Sequence, residues 1–356
     1  MKAAIVGCGQ IAGVHIQAVR RLPGIEVAAV CDTNMHRAEQ VAARFAVPQR
    51  FTNVEDMLER VRPDVVHITS PPATHLSVGR RVLQHGAHAY VEKPFTTSLG
   101  EADELIAIAD QGKRLLCVGH SFLYDPAYLR LMEVVRAGGL GEIVHVEVWM
   151  SHDPANPYGA EMLDDPTHWV HRLPGGITQN IIPHPIYLVL NILGVETPAV
   201  IAKGFRMRHE RYGDVRDRFQ DELRVMILGK ECTASLMLSC RACPEQLRLV
   251  LQGTRAQAEA NLYARTVHYT ERPSVLTPIS KVRWAYEDMH SAVGELSRQL
   301  RRFAAGQLDY FDGLRELVRR FYLAVEGRGG MPVCVEDVRR VTAIIDDIFR
   351  QSKTDS

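Results

Sequence analysis

No hydrophobic run in this 356-residue chain approaches the ~18 residues of a membrane span; "IYLVLNILGV" is the best candidate and is too short. Excess charge of either sign is also missing. The 42 Lys and Arg balance 42 Asp and Glu, so no global basic field draws in nucleic acid or anionic lipid. The opening "MKAAIVGCG" lacks the charged region, long apolar core and cleavage site of a secretory signal. A disulfide framework is absent as well: Cys8, Cys31, Cys117, Cys232, Cys240, Cys243 and Cys334 are odd in number and irregularly spaced, which predicts reduced thiols in a cytoplasmic protein. Cys240 and Cys243 form one C-x-x-C without a second pair or histidines at ligand spacing, so no metal is expected. No repeat or low-complexity segment appears, and most histidines read as single residues in polar loops.

What remains is an ordinary globular composition, 46% hydrophobic and 24% charged, in a chain long enough for two cores. Up to about residue 120, near-continuous apolar runs ("KAAIVG", "EVAAVCD", "VVHITS", "HAYVEK", "RLLCVGH") alternate with helical spacings, which predicts a doubly wound α/β sheet of parallel strands over 1–120. Over 121–356 the pattern changes. "IVHVEVWMS" and a series from "AVIAKGFRMR" to "AQAEANLYA" read as strands, and helices such as "PIYLVLNILG", "AVGELSRQLRRFAAG" and "VEDVRRVTAIIDDIFRQ" stand apart from them. This predicts an α+β unit with an open, mostly antiparallel sheet and helices on one face. The Arg-rich stretch 206–219 also carries acids and reads as a solvated loop.

"GCGQIA", residues 7–12, follows the first strand and opens the first helix. Gly7 permits a tight turn, Gly9 lets backbone approach a pyrophosphate, and Ala12 fills the third small position. The helix start, with Gln10 and Ile11, offers free N–H groups to phosphate. Asp32 ends the second strand, where a carboxylate binds ribose hydroxyls and repels a 2′-phosphate. This favours NAD over NADP. Arg37 is either an exposed helix residue or a partner for a 2′-phosphate. Further on, "YVEKP" halts a strand on Lys93, before a proline that stiffens the bend.

With "GCGQIA", "SPPATHL" and "VEKP", the chain resembles the Gfo/Idh/MocA family of NAD(P)-dependent oxidoreductases, closely through residue 130 and more loosely beyond. The resemblance implies a Rossmann domain followed by an open-sheet domain, with the active site between them and Lys93 as the catalytic lysine. It also implies that Ser70, Pro71, His75 and Glu92 join Lys93 around the nicotinamide end of the cofactor. The family's second signature, D-x-G-x-H-x-x-D after glycines, aligns with "GGITQNIIPHPIY": Asn180 stands where Asp is common, Ile182 for Gly, His184 for His and Tyr187 for the final Asp.

Pro185 suits a first helical turn, which puts His184 at a positive helix end that favours a neutral base; the alternative is a structural histidine between two prolines. Asn180 is expected to hydrogen-bond to substrate or orient His184, since it cannot take a proton as a carboxylate does. Tyr124, Tyr158, His168, Trp169 and Tyr187 read either as substrate contacts or as loop packing.

The reading is an NAD-dependent dehydrogenase acting on a secondary alcohol of a sugar, cyclitol or related small molecule. His184 serves as base, titrating near neutrality, and Lys93 stabilises the oxygen. Redox-neutral, NAD-assisted elimination and a non-enzymatic ligand-sensing regulator are the alternatives. Apolar residues on strands such as "LRVMIL" and "ASLMLSC" predict a homodimer or homotetramer packed through the open sheet face.

Overall fold

The computed structural model describes residues 1–153, 159, 162, 165, 167–194, 198–206, 220–271, 278–307 and 309–352. Six parallel strands, β1 (Lys2–Val6), β2 (Glu26–Cys31), β3 (Gln49–Phe51), β4 (Val65–Ile68), β5 (His88–Val91) and β6 (Leu116–Val118), line up in the order β3-β2-β1-β4-β5-β6. This is the Rossmann order, with its switch point between β1 and β4. The crossovers are α1 (Ala12–Arg20), α2 (Met35–Arg44), α3 (Val54–Val61), α4 (His75–Gln84) and α5 (Leu99–Gln111). Asn34, Asn53 and Ser98 cap α2, α3 and α5 by accepting first-turn N–H groups. β3 and α3 escaped the sequence reading because Gln49 and Arg50 are exposed at a sheet edge, so three residues carry no apolar run.

The second sheet has seven strands in the order β13-β12-β11-β7-β10-β9-β8. They are β7 (Ile143–Ser151), β8 (Ala199–Phe205), β9 (Glu222–Leu228), β10 (Thr233–Ser239), β11 (Gln246–Gly253), β12 (Ala256–Asn261) and β13 (Thr266–Glu271). β7 and β10 run parallel, and the other pairings are antiparallel. Alternating burial along β8 marks one covered and one open face. The second core joins the covered face to α6 (Pro126–Arg136), α7 (Gly176–Ile181), α8 (Pro183–Leu193) and α11 (Val335–Gln351). Gly175 precedes α7 because an added Cβ would lie 2.0 Å from the Phe349 ring of α11.

Two further helices complete the chain: α9 (Pro278–Ala304), which starts well before the helix predicted from the sequence, and α10 (Asp312–Val325). α10 returns to the first sheet. Leu314, Leu317, Val318, Phe321 and Tyr322 are buried in the same core as β1, β4 and β5. Phe321→Ala is therefore expected to cost roughly 3–5 kcal/mol, the usual penalty for emptying a buried aromatic site. Urea unfolding checks this, and an unchanged midpoint would mean that α10 adds nothing to the first core.

Candidate active site

Successive strands of the first sheet end in functional turns on one side. After β1, Gly7 adopts a φ of +98°, and a Cβ there would sit 2.4 Å from the Ser70 backbone nitrogen. Contact between the β1 and β4 turns thus demands this glycine before any ligand arrives. Gly9 differs: a Cβ there would meet nothing within 4 Å, so the space a pyrophosphate needs is open. The start of α1 has no side-chain cap, leaving backbone N–H groups for an anion, with Gln10 exposed and Ile11 at the N-cap.

Asp32 accepts from Cys8 N through Oδ2 and from Asn34 N through Oδ1, both at 2.8 Å. It ties the two turns together, and each oxygen keeps a second lone pair for a ribose hydroxyl. Arg37 is exposed one turn further on. The cradle, its uncapped helix and its acid fit the diphosphate and ribose of NAD.

Lys93 follows β5 and crosses to the second core. Its Nζ donates to the Asn180 carbonyl at 3.0 Å and to Asn180 Oδ1 at 3.2 Å. An ammonium has three N–H donors, so one remains for a substrate oxygen. Burial lowers the Lys93 pKa, opposed by the Glu92 charge.

His184 lies in the first turn of α8, its Nδ1 2.8 Å from the Tyr187 hydroxyl, which also accepts from Phe122 N at 3.1 Å. Burial pushes the His184 pKa well below its ordinary value, and the charges of Lys93, His120 and His152 push the same way. His120, after β6, stacks on Tyr187 at 4.4 Å, and burial holds it down to about 3. His152, after β7, lies 3.3 Å from Glu245 through Nδ1.

Beneath Lys93 runs a buried polar chain. Glu92 Oε1 is 3.0 Å from His15 Nε2, His15 Nδ1 is 2.9 Å from His67 Nδ1, and His67 Nε2 is 3.0 Å from the Tyr322 hydroxyl. A carboxylate cannot donate, so His15 donates through Nε2. When Nδ1 of His15 then acts as acceptor, His67 donates through its own Nδ1, and Nε2 of His67 receives the Tyr322 proton. Every donor and acceptor is satisfied, and every proton points toward Glu92. Burial alone would raise the Glu92 pKa, but the His15 bond and the Lys93 charge bring it below the ordinary value. Gly119 leaves room for this, since a Cβ there would meet Glu92 Oε1 at 2.8 Å.

The expected residues therefore divide. Gly9, Asp32, Ser70 and Pro71 lie around the cradle, and Lys93, Asn180 and His184 converge across the two cores. Three of the expected residues turn inward. His75 is wholly buried and braces the turns through the Ser70 and Phe95 carbonyls at 2.8 and 2.9 Å. Glu92 points inward to His15. Tyr187, expected at the substrate, is buried and holds His184.

The Tyr124 hydroxyl is spent on the Pro332 carbonyl at 2.5 Å, with Arg320 over its ring. His168 and Trp169 are half-buried with rings 5.2 Å apart, and Tyr158 and 207–219 lie outside the described residues. His15, His67, His120 and His152 were missed. Two of them interrupt apolar runs, "GVHIQAV" and "VVHITS", which was the available signal. Among the described residues, no group of three or more His, Cys, Asp or Glu is placed to hold a metal, and no helix is long and apolar enough to cross a membrane.

Comparison with known proteins adds to this geometry. Residues 1–120 match the GFO_IDH_MocA oxidoreductase family with its NAD-binding Rossmann fold, and residues 128–259 match the GFO/IDH/MocA C-terminal domain. The chain is similar to UDP-N-acetylglucosamine 3-dehydrogenase of Acidithiobacillus ferrooxidans, 29% identical over 204 residues, 57% of this chain and 58% of that protein. It is also similar to myo-inositol 2-dehydrogenase of Thermotoga maritima, 24% identical over 217 residues, 61% of this chain and 62% of that protein. The matches thus span about three fifths of those two relatives. An oxidoreductase from Agrobacterium radiobacter, solved with NAD+, L-tartaric acid and magnesium, shares the fold with a TM-score of 0.79 at 15% identity, covering 100% of this chain and 97% of that one. With both parts of the chain matched, the protein belongs to the Gfo/Idh/MocA oxidoreductases and carries their NAD-binding Rossmann domain.

Proposed function

We propose that the protein is an NAD-dependent dehydrogenase interconverting a secondary alcohol and a ketone on a sugar, cyclitol or similarly polar small molecule. The observation that carries this reading is the Lys93 ammonium, held on Asn180 with one donor to spare, beside a histidine kept neutral. NAD, when bound, supplies the carbon that accepts the hydride. The polyhydroxylated substrates named for the two relatives support the substrate class.

Lys93 directs its remaining N–H to the substrate oxygen and stabilises the negative charge that grows there. Asn180 stands where the family commonly has an acid, so no carboxylate at that position pairs with the ammonium, and Glu92 is the carboxylate whose charge acts on it. His184 removes the hydroxyl proton through Nε2. This requires Nδ1–H to donate to the Tyr187 oxygen, which fixes the tautomer. The buried chain ending on Glu92 holds the Lys93 backbone, whose N–H donates to Glu92 Oε2 at 3.1 Å. A second copy packs on the open sheet face, where Val144, Ile201 and Met226 are exposed, and the reduced thiols suit a cytoplasmic setting.

The cofactor preference is expected to be NADH over NADPH, because Asp32 meets a 2′-phosphate with like charge. Fluorescence titration with both cofactors decides it, and tighter NADPH binding would hand that position to Arg37. On a panel of sugars and cyclitols scored by NADH absorbance and product mass, Lys93→Met is expected to keep NADH affinity and lower kcat by several powers of ten. His184→Asn is expected to cost roughly 10²–10⁴-fold and to remove an acid limb of the pH–rate profile lying below the ordinary histidine range, not near neutrality. Wild-type turnover by both variants would sink the assignment; product formation without net NADH would replace oxidation with elimination.

Acid should also weaken the fold. A histidine near 6.5 when unfolded but about 3 when folded makes the unfolded chain bind more protons below pH 6.5, so stability falls as pH drops. For His120 this amounts to about 2 kcal/mol at pH 5. His120→Phe, which keeps a ring against Tyr187, should flatten the stability loss between pH 7 and 5 by that amount in urea titrations.

A further inference from the structure

Helix α9 is amphipathic the wrong way round. Its polar side faces its own subunit. Glu295 is buried and accepts from Arg130 of α6 at 2.8 and 3.1 Å. Ser291 pairs with His268 of β13 at 3.0 Å, Gln299 donates to the Ala264 and Arg265 carbonyls, and Arg302 donates to Asp312 at 2.8 Å. Its other side exposes Ile279, Val282, Tyr286, Met289, Val293, Leu296, Leu300 and Phe303, each 57% to 79% accessible. These positions alternate spacings of three and four, which is the a/d seam of a coiled coil, sustained over four heptads. Scattered surface hydrophobes are normal in soluble proteins, but an unbroken seam on a helix whose one buried residue is the charged Glu295 is not.

We infer that α9 pairs with α9 of a second copy, antiparallel, about a two-fold axis near Ser291. Three observations select that occupant. The seam is self-complementary: antiparallel pairing sets Ile279 on Phe303, Val282 on Leu300, Tyr286 on Leu296 and Met289 on Val293 of the other copy, so each large side chain meets another. Ala285 and Ala292 flank it on one side, small enough for close helix approach, and no acid occupies a flanking position where a like charge would face it. The area is also adequate, since eight large side chains more than half exposed offer on the order of 800 Å² per chain, one partner's share of a standard stable interface. An isologous contact of this kind closes on itself and leaves no sticky end.

Cysteine crosslinking tests the pairing and its direction. In a chain whose exposed Cys243 and Cys334 are replaced by serine, Ala292→Cys lies beside the proposed two-fold axis and should form a disulfide-linked dimer in high yield under mild oxidation. Ile279→Cys should not, because antiparallel helices carry the two copies of that residue to opposite ends, tens of ångströms apart. Val293→Glu should halve the mass measured by light scattering while leaving the circular dichroism spectrum intact. A monomeric wild-type chain at micromolar concentration, an unchanged mass for Val293→Glu, or crosslinking through Ile279→Cys in place of Ala292→Cys would each overturn the proposal.

Discussion

A carboxylate buried at the end of a central strand organises much of this molecule. Glu92 is 9% exposed, and an ion in such a place must be paired and hydrogen-bonded or lose its charge. His15 answers that demand from α1, His67 supports His15 from β4, and Tyr322 supports His67 from α10. Gly119 answers it by omission. The docking of a late helix on the first sheet, the absence of a side chain after β6 and two histidines in apolar surroundings thus share one cause. The residue next to Glu92 is Lys93, whose backbone N–H the same carboxylate accepts.

Charge around Lys93 is arranged differently from the family's usual signature. With Asn180 as its partner, Lys93 meets a carbonyl and a carboxamide where an acid is common, and His120, His152 and His184 crowd the same region. Burial disfavours protonating all three rings, and the ammonium adds to this for His152 and His184. The result is an ammonium with neutral imidazoles around it and the Glu92 carboxylate behind it, an environment that leaves a donor for a developing oxyanion. Tyr187, in place of a second acid, holds the ring of His184 and receives the stacked face of His120. The two departures from the signature are therefore connected, since each replaces a carboxylate with a neutral hydrogen-bonding group.

The second core supplies the Asn180 and His184 side of the candidate site. The covered face of the second sheet holds α8 and α11, which set His184 and, through Phe349 against Gly175, the approach to Asn180.

Local pattern in the chain was sufficient for the Rossmann frame, for a glycine turn and an acid at its first two strand ends, and for a lysine stopped at another, because strand period, glycine turns and proline constraints act within a few residues. The resemblance extended this to Asn180 and His184. Only the tertiary structure decided which way the polar groups face. His75, Glu92 and Tyr187 turned inward because buried backbone carbonyls and ring nitrogens elsewhere needed partners, and Tyr322 meets His67 across 255 residues of chain. The outward side of α9 was equally hidden. Its heptad spacing is written in the sequence, but a seam facing solvent looks the same there as one facing a core, and the buried Arg130–Glu295 pair decides between them.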